Sequence, residues 1–159
     1  MSKITTWDKV YRALHGGKED WRDNRPSTDH LPGFVAARQC LAEYDFSDMN
    51  LPLSDFTYAH ARHAQFTNAR LSHSTFRGSI CNGASFERAS LHHADFTDAK
   101  LRRAVFRRAD LTGADFCGAE LHDTDFTGAV LARTCFEEAK LYNVTGLNPH
   151  MIQPLYSMK

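Results

Sequence analysis

The feature that most constrains this sequence is a large apolar residue at every fifth position from Leu41 to Leu141. Phenylalanine and leucine alternate along the series, which is broken only at Ala61 and Cys81. The residue two places before each centre is nearly always small. This regularity predicts a repeated five-residue unit with the large residues buried. The predicted core phenylalanines are Phe46, Phe56, Phe66, Phe76, Phe86, Phe96, Phe106, Phe116, Phe126 and Phe136, and the leucines are Leu51, Leu71, Leu91, Leu101, Leu111, Leu121, Leu131 and Leu141.

A period of five excludes the regular helix and the flat strand as the repeated unit. On an α-helix five residues advance by about 500°, so successive centres spiral around the axis and form no common face. On a strand an odd period places successive centres on opposite faces of the sheet. A chain that turns a corner once in each unit returns every centre to the inside. The sequence therefore predicts a coil with corners.

The alternation of phenylalanine and leucine indicates four sides in each coil. In a three-sided coil of fifteen residues each phenylalanine would stack on a leucine. In a four-sided coil of twenty, Phe46 stacks under Phe66 and Phe56 under Phe76, and leucines fill the other two sides. Ala61 and Cys81 are neighbours in one leucine column. We predict looser packing there, unless Ile80 takes the inward place through a local bulge.

Several units, such as Ala109-Asp110-Leu111-Thr112-Gly113 and Ala114-Asp115-Phe116-Cys117-Gly118, closely resemble the unit of the pentapeptide-repeat family. The resemblance implies an all-β fold, a right-handed quadrilateral β-helix, here of about five coils with short helical caps. Two residues after a centre, where a tight turn favours φ > 0, the chain places glycine repeatedly. These positions are Gly78, Gly83, Gly113, Gly118 and Gly128.

The ends of the repeat divide the chain into three segments. Residues 1–37 are predicted to form an N-terminal amphipathic helix and loop, residues 38–146 the β-helix, and residues 147–159 a C-terminal cap or short helix. Trp7, Val10 and Tyr11 have helical spacing, and the helix either covers the first coil, which is favoured, or docks on a partner. The family resemblance also implies a homodimer contact through the C-terminal end.

Composition and motifs limit the function classes. Lys plus Arg number 19 and Asp plus Glu number 19, so no net charge draws the whole chain to nucleic acid or lipid. The absence of a long apolar run and of a signal-peptide core predicts no membrane association and a cytoplasmic location. No nucleophile with a base, phosphate-binding loop or carboxylate pair in a cleft is indicated. We therefore predict no enzyme activity, no catalytic residue, no cofactor and no metal.

Two groups of side chains leave alternatives open. His73 and His93 lie twenty residues apart with His92 beside them, a spacing that suits either Zn²⁺ or ordinary surface histidines. The second interpretation is favoured because no carboxylate or thiol joins their stack. Cys117 and Cys135 fall on one face, one coil apart, either as free thiols, which is favoured, or as a redox pair.

Charge is unevenly distributed around the predicted coil. The face over Phe56–Phe136 is acidic and is opposed only by Arg77; its carboxylates are Asp55, Asp95, Asp98, Asp115, Glu137 and Glu138. A basic patch covers neighbouring faces and consists of Arg88, Arg102, Arg103, Arg107 and Arg108. Alternating ladders are expected to neutralise part of that patch, with Glu120 between Lys100 and Lys140, Glu87 under Arg107 and Arg103 under Asp123.

The favoured function is a bacterial-type, non-enzymatic module that presents rigid faces to a protein partner. The family resemblance adds an alternative, because some members mimic B-form DNA, bind DNA gyrase or topoisomerase IV, and protect against quinolones or toxins. Six carboxylates over about 25 Å are sparser than the charge of DNA, one per ~1.7 Å of axis. A third alternative is direct nucleic-acid binding through the basic patch, which lacks interleaved aromatic residues.

Overall fold

The computed structural model describes residues 31–148. Within this range the backbone forms single-residue parallel β-bridges separated by turns, and no extended strand or helix. Every bridge joins residues twenty apart, from Val35↔Asp55 to Asp125↔Thr145. The bridges form four columns, so the chain returns onto itself every twenty residues and has four sides. The architecture is the predicted quadrilateral β-helix.

The coil number of the whole chain stays a prediction. Most of the predicted N-terminal helix and loop, and nearly all of the C-terminal cap with its dimer contact, lie outside the described residues. The five-residue backbone pattern is already present at Leu31, the first described residue, within the segment 1–37. Ala36 occupies a central position there and is buried, although it is too small to extend the apolar series visible in the sequence. No helix within residues 31–148 is long and apolar enough to cross a membrane.

Most units pair their five backbone N–H groups in the same way. The N–H groups of the central residue and of the residue two places after it donate to carbonyls of the next coil. The N–H three places after the centre donates to the carbonyl of the central residue and closes a turn. The N–H four places after the centre donates to a carbonyl of the previous coil. The remaining N–H, one residue after the centre, is often accepted by the side chain just before the centre, as in Cys117 N–H to Asp115 Oδ1 at 2.8 Å. The same contact is made by Asp45, Asp55, Asp95, Asp110 and Asp125. Aspartate at this position is therefore structural, an Asx-type turn built into the unit.

The turn in each unit places the residue two after the centre at positive φ. The five predicted glycines adopt this conformation, with φ between +62° and +73°, which confirms the prediction. Other residue types do so as well, including Leu53 at 60° and Tyr58 at 55°. Such residues cost roughly 1–2 kcal/mol each relative to a right-handed conformation. Pairing between the coils imposes the turn even where the sequence does not favour it.

Two columns of stacked phenylalanine rings occupy two opposite sides of the interior, and leucines fill the other two. Phe46 and Phe66 stack with centroids 4.9 Å apart and an interplanar angle of 4°. Phe106 and Phe116, from opposite columns, meet edge to face at 5.5 Å and 90°. All ten predicted core phenylalanines are buried, and so are the predicted leucines from Leu51 to Leu131. Leu141 is only partly buried, because no further coil covers it within residues 31–148.

The break in the leucine column does not distort the coil. Ala61 and Cys81 are fully buried at the inward positions. Ile80 stays in a bridge column, paired with His60 and Lys100, so the alternative of an inward bulge is wrong. Burial raises the pKa of the Cys81 thiol to about 12, although the hydroxyl of Ser79, 3.3 Å from the sulfur, opposes this shift. Cys81 is therefore a neutral member of the core.

Candidate functional site

One recurring contact organises the outer faces. The side chain just after a centre meets the bridge residue eighteen positions later, in the next coil. Hydroxyl groups form this contact in some units, at 3.2 to 3.4 Å. Arg77 and Asp95 form it as an ion pair of 3.2 Å, and Cys117 and Cys135 as a pair of thiols 2.8 Å apart. Residues spaced by eighteen therefore determine the chemistry along these contacts.

The predicted basic patch comes together, but its charges are largely neutralised within the described part of the chain. Four of its five arginines form ion pairs: Arg88 with Glu87 at 3.8 Å, Arg102 with Glu120 at 3.3 Å, Arg103 with Asp123 at 3.9 Å and Arg107 with Asp125 at 2.5 Å. The predicted ladder at Glu120 is confirmed on one side, since Lys140 contacts Glu120 at 3.4 Å, whereas within residues 31–148 no ion pair joins Lys100 to Glu120. The patch is thus mainly a set of internal pairs.

The predicted pairing of Glu87 with Arg107 is wrong. Arg107 binds Asp125, and Glu87 approaches Arg88 instead. The expectation assumed that side chains contact the residue twenty positions later, directly above them. Side chains that follow a centre instead lean toward the bridge column, and the contact shifts to eighteen.

The carboxylates that hold the basic patch are strongly stabilised as anions. Partial burial alone would raise the pKa of Asp125, but hydrogen bonds from Thr127, Arg107 and Thr145 outweigh it and hold the pKa far below the usual range. Partial burial would also raise the pKa of Glu120. The hydrogen bond and charge of Lys140, together with the charge of Arg102, outweigh burial and lower that pKa. These acids stay charged at neutral pH and keep the arginines paired.

The predicted acidic face is divided by the structure. Asp55 lies two coils from Asp95 in the same bridge column, with Thr75 between them. Asp95 is paired with Arg77, so its charge is balanced. The other four carboxylates occupy successive coils and are called the acidic patch here: Asp98, Asp115, Glu137 and Glu138. Within residues 31–148 none of these four forms an ion pair.

Rigid elements hold the acidic patch in position. Asp115 lies in the bridge column and uses Oδ1 to accept the Cys117 N–H. Asp98, at a positive-φ corner, extends over Gly118 of the next coil, where a Cβ atom would lie 2.5 Å from its Oδ1. Glu137 and Glu138 are exposed one coil further on. The patch is therefore an open surface on a fixed backbone.

Two half-buried thiols lie inside the acidic patch, which confirms that Cys117 and Cys135 share a face. Asp115 Oδ, Cys117 Sγ and Cys135 Sγ all lie within 4.8 Å of one another. Burial, followed by the hydrogen bonds and charges of Asp115 and Cys135, raises the pKa of the Cys117 thiol well above its usual range. The sequence spacing had shown the shared face but had not joined the carboxylate to the two sulfurs.

The histidines do not converge on one point. His73 and His93 stack as expected, with ring centroids 5.1 Å apart and an interplanar angle of 13°. His92 contacts a carboxylate instead of the two stacked rings, with its Nε2 3.2 Å from Asp110 Oδ2. In residues 31–148 the group of three potential metal ligands is Asp115, Cys117 and Cys135, and no histidine belongs to it.

Comparison with known proteins agrees with the repeat. A family model described as "Pentapeptide repeat region" matches residues 53–126, and a second, "Pentapeptide repeats (8 copies)", matches residues 109–145. The two matches overlap and together span more than half of the chain. A search of curated proteins found no match.

Similar solved structures share the repeat at low identity. The pentapeptide repeat protein Rfr23 from the cyanobacterium Cyanothece 51142 is 16% identical, with 88% of this chain and 98% of that chain covered and a TM-score of 0.43. HetL from Nostoc sp. strain PCC 7120, involved in heterocyst differentiation regulation, is 20% identical, with coverage of 74% and 80% and a TM-score of 0.28. QnrB1, a plasmid-mediated fluoroquinolone resistance protein, is 16% identical, with coverage of 80% and 94% and a TM-score of 0.39. Likeness at this level assigns no function.

Proposed function

This chain belongs to the pentapeptide-repeat family, and we propose that it is a non-enzymatic protein–protein interaction module whose contact surface is the acidic patch. One observation carries the proposal. Within residues 31–148 the arginines of the basic patch are mostly paired with carboxylates, whereas the four carboxylates of the acidic patch are not paired with any cation. A surface with uncompensated negative charge favours a partner that presents lysine or arginine side chains.

Rigidity supports binding by this surface. The backbone donors of most units are paired, and the phenylalanine columns fill the interior without interruption from Phe46 to Phe136. Asp98 and Asp115 are therefore positioned before a partner arrives, and little conformational entropy is lost on binding. Unpaired charge on an exposed face also accelerates encounter with a partner of opposite charge.

A type II topoisomerase is the second candidate partner for the same surface. The four carboxylates lie on three successive coils, which are spaced about 4.8 Å apart, and place negative charge along one side of a rod. This charge covers only three coils and is sparser than the phosphates of DNA, at one per ~1.7 Å of axis. This charge density favours a general basic protein surface over DNA mimicry.

Direct nucleic-acid binding is not part of the proposal, because four of the five arginines that would contact phosphates are engaged with Glu87, Glu120, Asp123 and Asp125. A cytoplasmic location and a homodimer through the C-terminal end stay predictions.

The test compares two double charge reversals with the same change in net charge. Asp98→Lys with Glu138→Lys alters the acidic patch, and Glu43→Lys with Asp48→Lys alters other positive-φ corners. Each protein is used to capture partners from a cell extract, and a captured protein is then purified and its Kd measured by calorimetry. We expect the patch variant to bind at least about tenfold more weakly than the wild type and the control. Equal affinity of all three proteins would remove the acidic patch as the contact surface.

A supercoiling assay with DNA gyrase and a relaxation assay with topoisomerase IV, each with and without a fluoroquinolone, test the second candidate. Inhibition or drug rescue that is lost in the patch variant would identify a topoisomerase as the partner. Absence of any effect at high protein concentration would exclude it while leaving the general proposal to the capture experiment.

A further inference from the structure

The thiol pair in the acidic patch is built by the fold. Asp115 and Cys135 are bridge partners in adjacent coils, and Cys117 follows Asp115 by two residues with its N–H bound to the carboxylate. The recurring contact between residues eighteen apart then brings the sulfur of Cys117 to 2.8 Å from that of Cys135. Three ligand atoms from two coils thus lie within 4.8 Å of one another and half-buried.

The surroundings of these atoms favour a cation. Asp98 extends over Gly118, directly after Cys117, and Glu137 and Glu138 follow Cys135 in the chain. The nearest basic residue along the chain is Arg133, at an exposed corner two residues before Cys135. Two thiols and a carboxylate are the ligand types that bind borderline-soft divalent ions.

We propose that Asp115, Cys117 and Cys135 form a binding site for a thiophilic divalent metal ion of the Zn²⁺ type. Zinc binds thiolate at ~2.3 Å and carboxylate oxygen at ~2.0–2.2 Å, so tetrahedral ligand atoms lie roughly 3.6–3.8 Å apart. The two sulfurs must separate by about 1 Å to meet this requirement, which rotation of two half-buried side chains provides. Three protein ligands leave the fourth position of the tetrahedron to water.

The short distance between the two sulfurs would also allow a disulfide bond. Closing that bond would release two protons and two electrons to a small-molecule disulfide such as oxidised glutathione, and it begins with attack by a thiolate. A disulfide would leave Asp115 and the unpaired carboxylates around it without any positive charge. A metal ion supplies the positive charge that the site lacks, so the geometry and the charge together favour the metal.

The first experiment titrates the full-length protein, reduced and freed of metal, with Co²⁺ and then displaces the cobalt with Zn²⁺. Thiolate ligands give Co²⁺ a charge-transfer absorption in the near ultraviolet that grows with their number. We expect saturation at one Co²⁺ per chain and complete displacement by Zn²⁺. Cys117→Ser and Cys135→Ser should each lower the Co²⁺ affinity at least about tenfold, and the double variant should show no charge-transfer band.

Two further variants separate the proposed site from a simple dithiol and from the other thiols. Asp115→Asn keeps both sulfurs and an oxygen that can accept the Cys117 N–H, so the fold should be retained while Co²⁺ affinity falls about tenfold. Cys40→Ser removes an exposed thiol elsewhere and should leave the titration unchanged. Zn²⁺ should also raise the Tm of the wild type and of Cys40→Ser, but not that of the double cysteine variant.

Three results would overturn the proposal. They are a reduced protein that takes up no metal, a charge-transfer band that persists in the double cysteine variant, and a pair that is found only as a disulfide, two hydrogens lighter by mass, with no metal uptake after reduction. Because the titration needs only the purified chain, its outcome is independent of whether the acidic patch binds a protein partner.

Discussion

The inside and the outside of this coil use the same twenty-residue period in different ways. Inside, identical rings stack directly above one another, with Phe66 and Phe86 at 4.8 Å and 1° and Phe96 and Phe116 at 4.8 Å and 3°. Outside, the side chain just after a centre contacts the residue eighteen positions later, and the groups that meet are hydroxyls in one unit, an ion pair in another and thiols in a third. The interior is uniform and determines the fold, whereas the exterior varies at fixed geometry and can carry a binding site.

The interior should account for the largest effects on stability. Phe86 is fully buried between Phe66 and Phe106, so Phe86→Ala removes stacking on both sides and leaves a cavity. We expect a loss of about 3–5 kcal/mol in the free energy of unfolding, measured by urea denaturation. Phe136→Ala, near the end of its column and 4% exposed, should cost clearly less. Equal losses at the two positions would contradict a core that is supported by both neighbouring coils.

Substitution of an aspartate just before a centre should give the next largest loss of stability. The loss should be larger at Asp125, beside the basic patch, than at Asp115, in the acidic patch. Asp125 accepts hydrogen bonds from Thr127, Arg107 and Thr145, whereas within residues 31–148 the side chain of Asp115 is bonded to Cys117 alone, through its N–H and its thiol. We expect the free energy of unfolding to fall by about 2–3 kcal/mol in Asp125→Ala and by about 1 kcal/mol in Asp115→Ala, since each hydrogen bond to a charged group adds to stability. Urea denaturation in EDTA, without added metal, measures both. A larger cost for Asp115→Ala would mean that the acidic patch is supported by contacts that its geometry does not show.

Acid should weaken the paired side of the coil. The pKa of Asp125 is lower in the folded chain than in the unfolded chain, where it lies near 4. Its contribution is therefore fully present above about pH 4 and is lost as the pH falls from there toward the folded-state pKa. We expect Asp125→Asn to be less stable at pH 7 but to lose less stability between about pH 5 and pH 3, a difference on the order of 1 kcal/mol.

Urea denaturation at a series of pH values checks this expectation. Arg107→Gln, which keeps the carboxylate and removes one of its donors, should give an intermediate slope. A wild-type slope in Asp125→Asn would show that other carboxylates control the acid response.

How far the sequence predicts this molecule follows from the same contrast. The five-residue period and the alternation of Phe and Leu predicted four sides, the buried columns and the glycine corners, because each of these depends only on which residues point inward. The burial of Ala36 could not be predicted, because alanine occurs both inside and outside the coil and does not mark a central position. The partner of Arg107 could not be predicted, because the lean of an outer side chain toward the bridge column is not encoded in a one-dimensional period. The same shift joins Asp115 to Cys117 and Cys135, and only the three-dimensional register shows that group.

The smallest effects should distinguish the two outer registers directly. Arg102 and Glu120 are eighteen apart, with 3.3 Å between Nε and Oε2 and a glutamate side chain that is 22% exposed. Arg103 and Asp123 are twenty apart, at 3.9 Å, with side chains that are 83% and 42% exposed. Because solvent screens the second pair far more, double-mutant cycles with glutamine and asparagine should give a coupling of up to ~1 kcal/mol for the first pair and about 0–0.3 kcal/mol for the second.

The cycles need the variants in one background, with Lys140 retained because it also contacts Glu120 and would otherwise change the first coupling. A ranking that is the reverse of the expected one would mean that direct stacking of residues twenty apart, and not the eighteen-residue contact, orders the charges on the surface. It would also remove the geometric reason for placing the sulfurs of Cys117 and Cys135 together, so this small difference in coupling bears on the proposed metal site as well as on the stability of the coil.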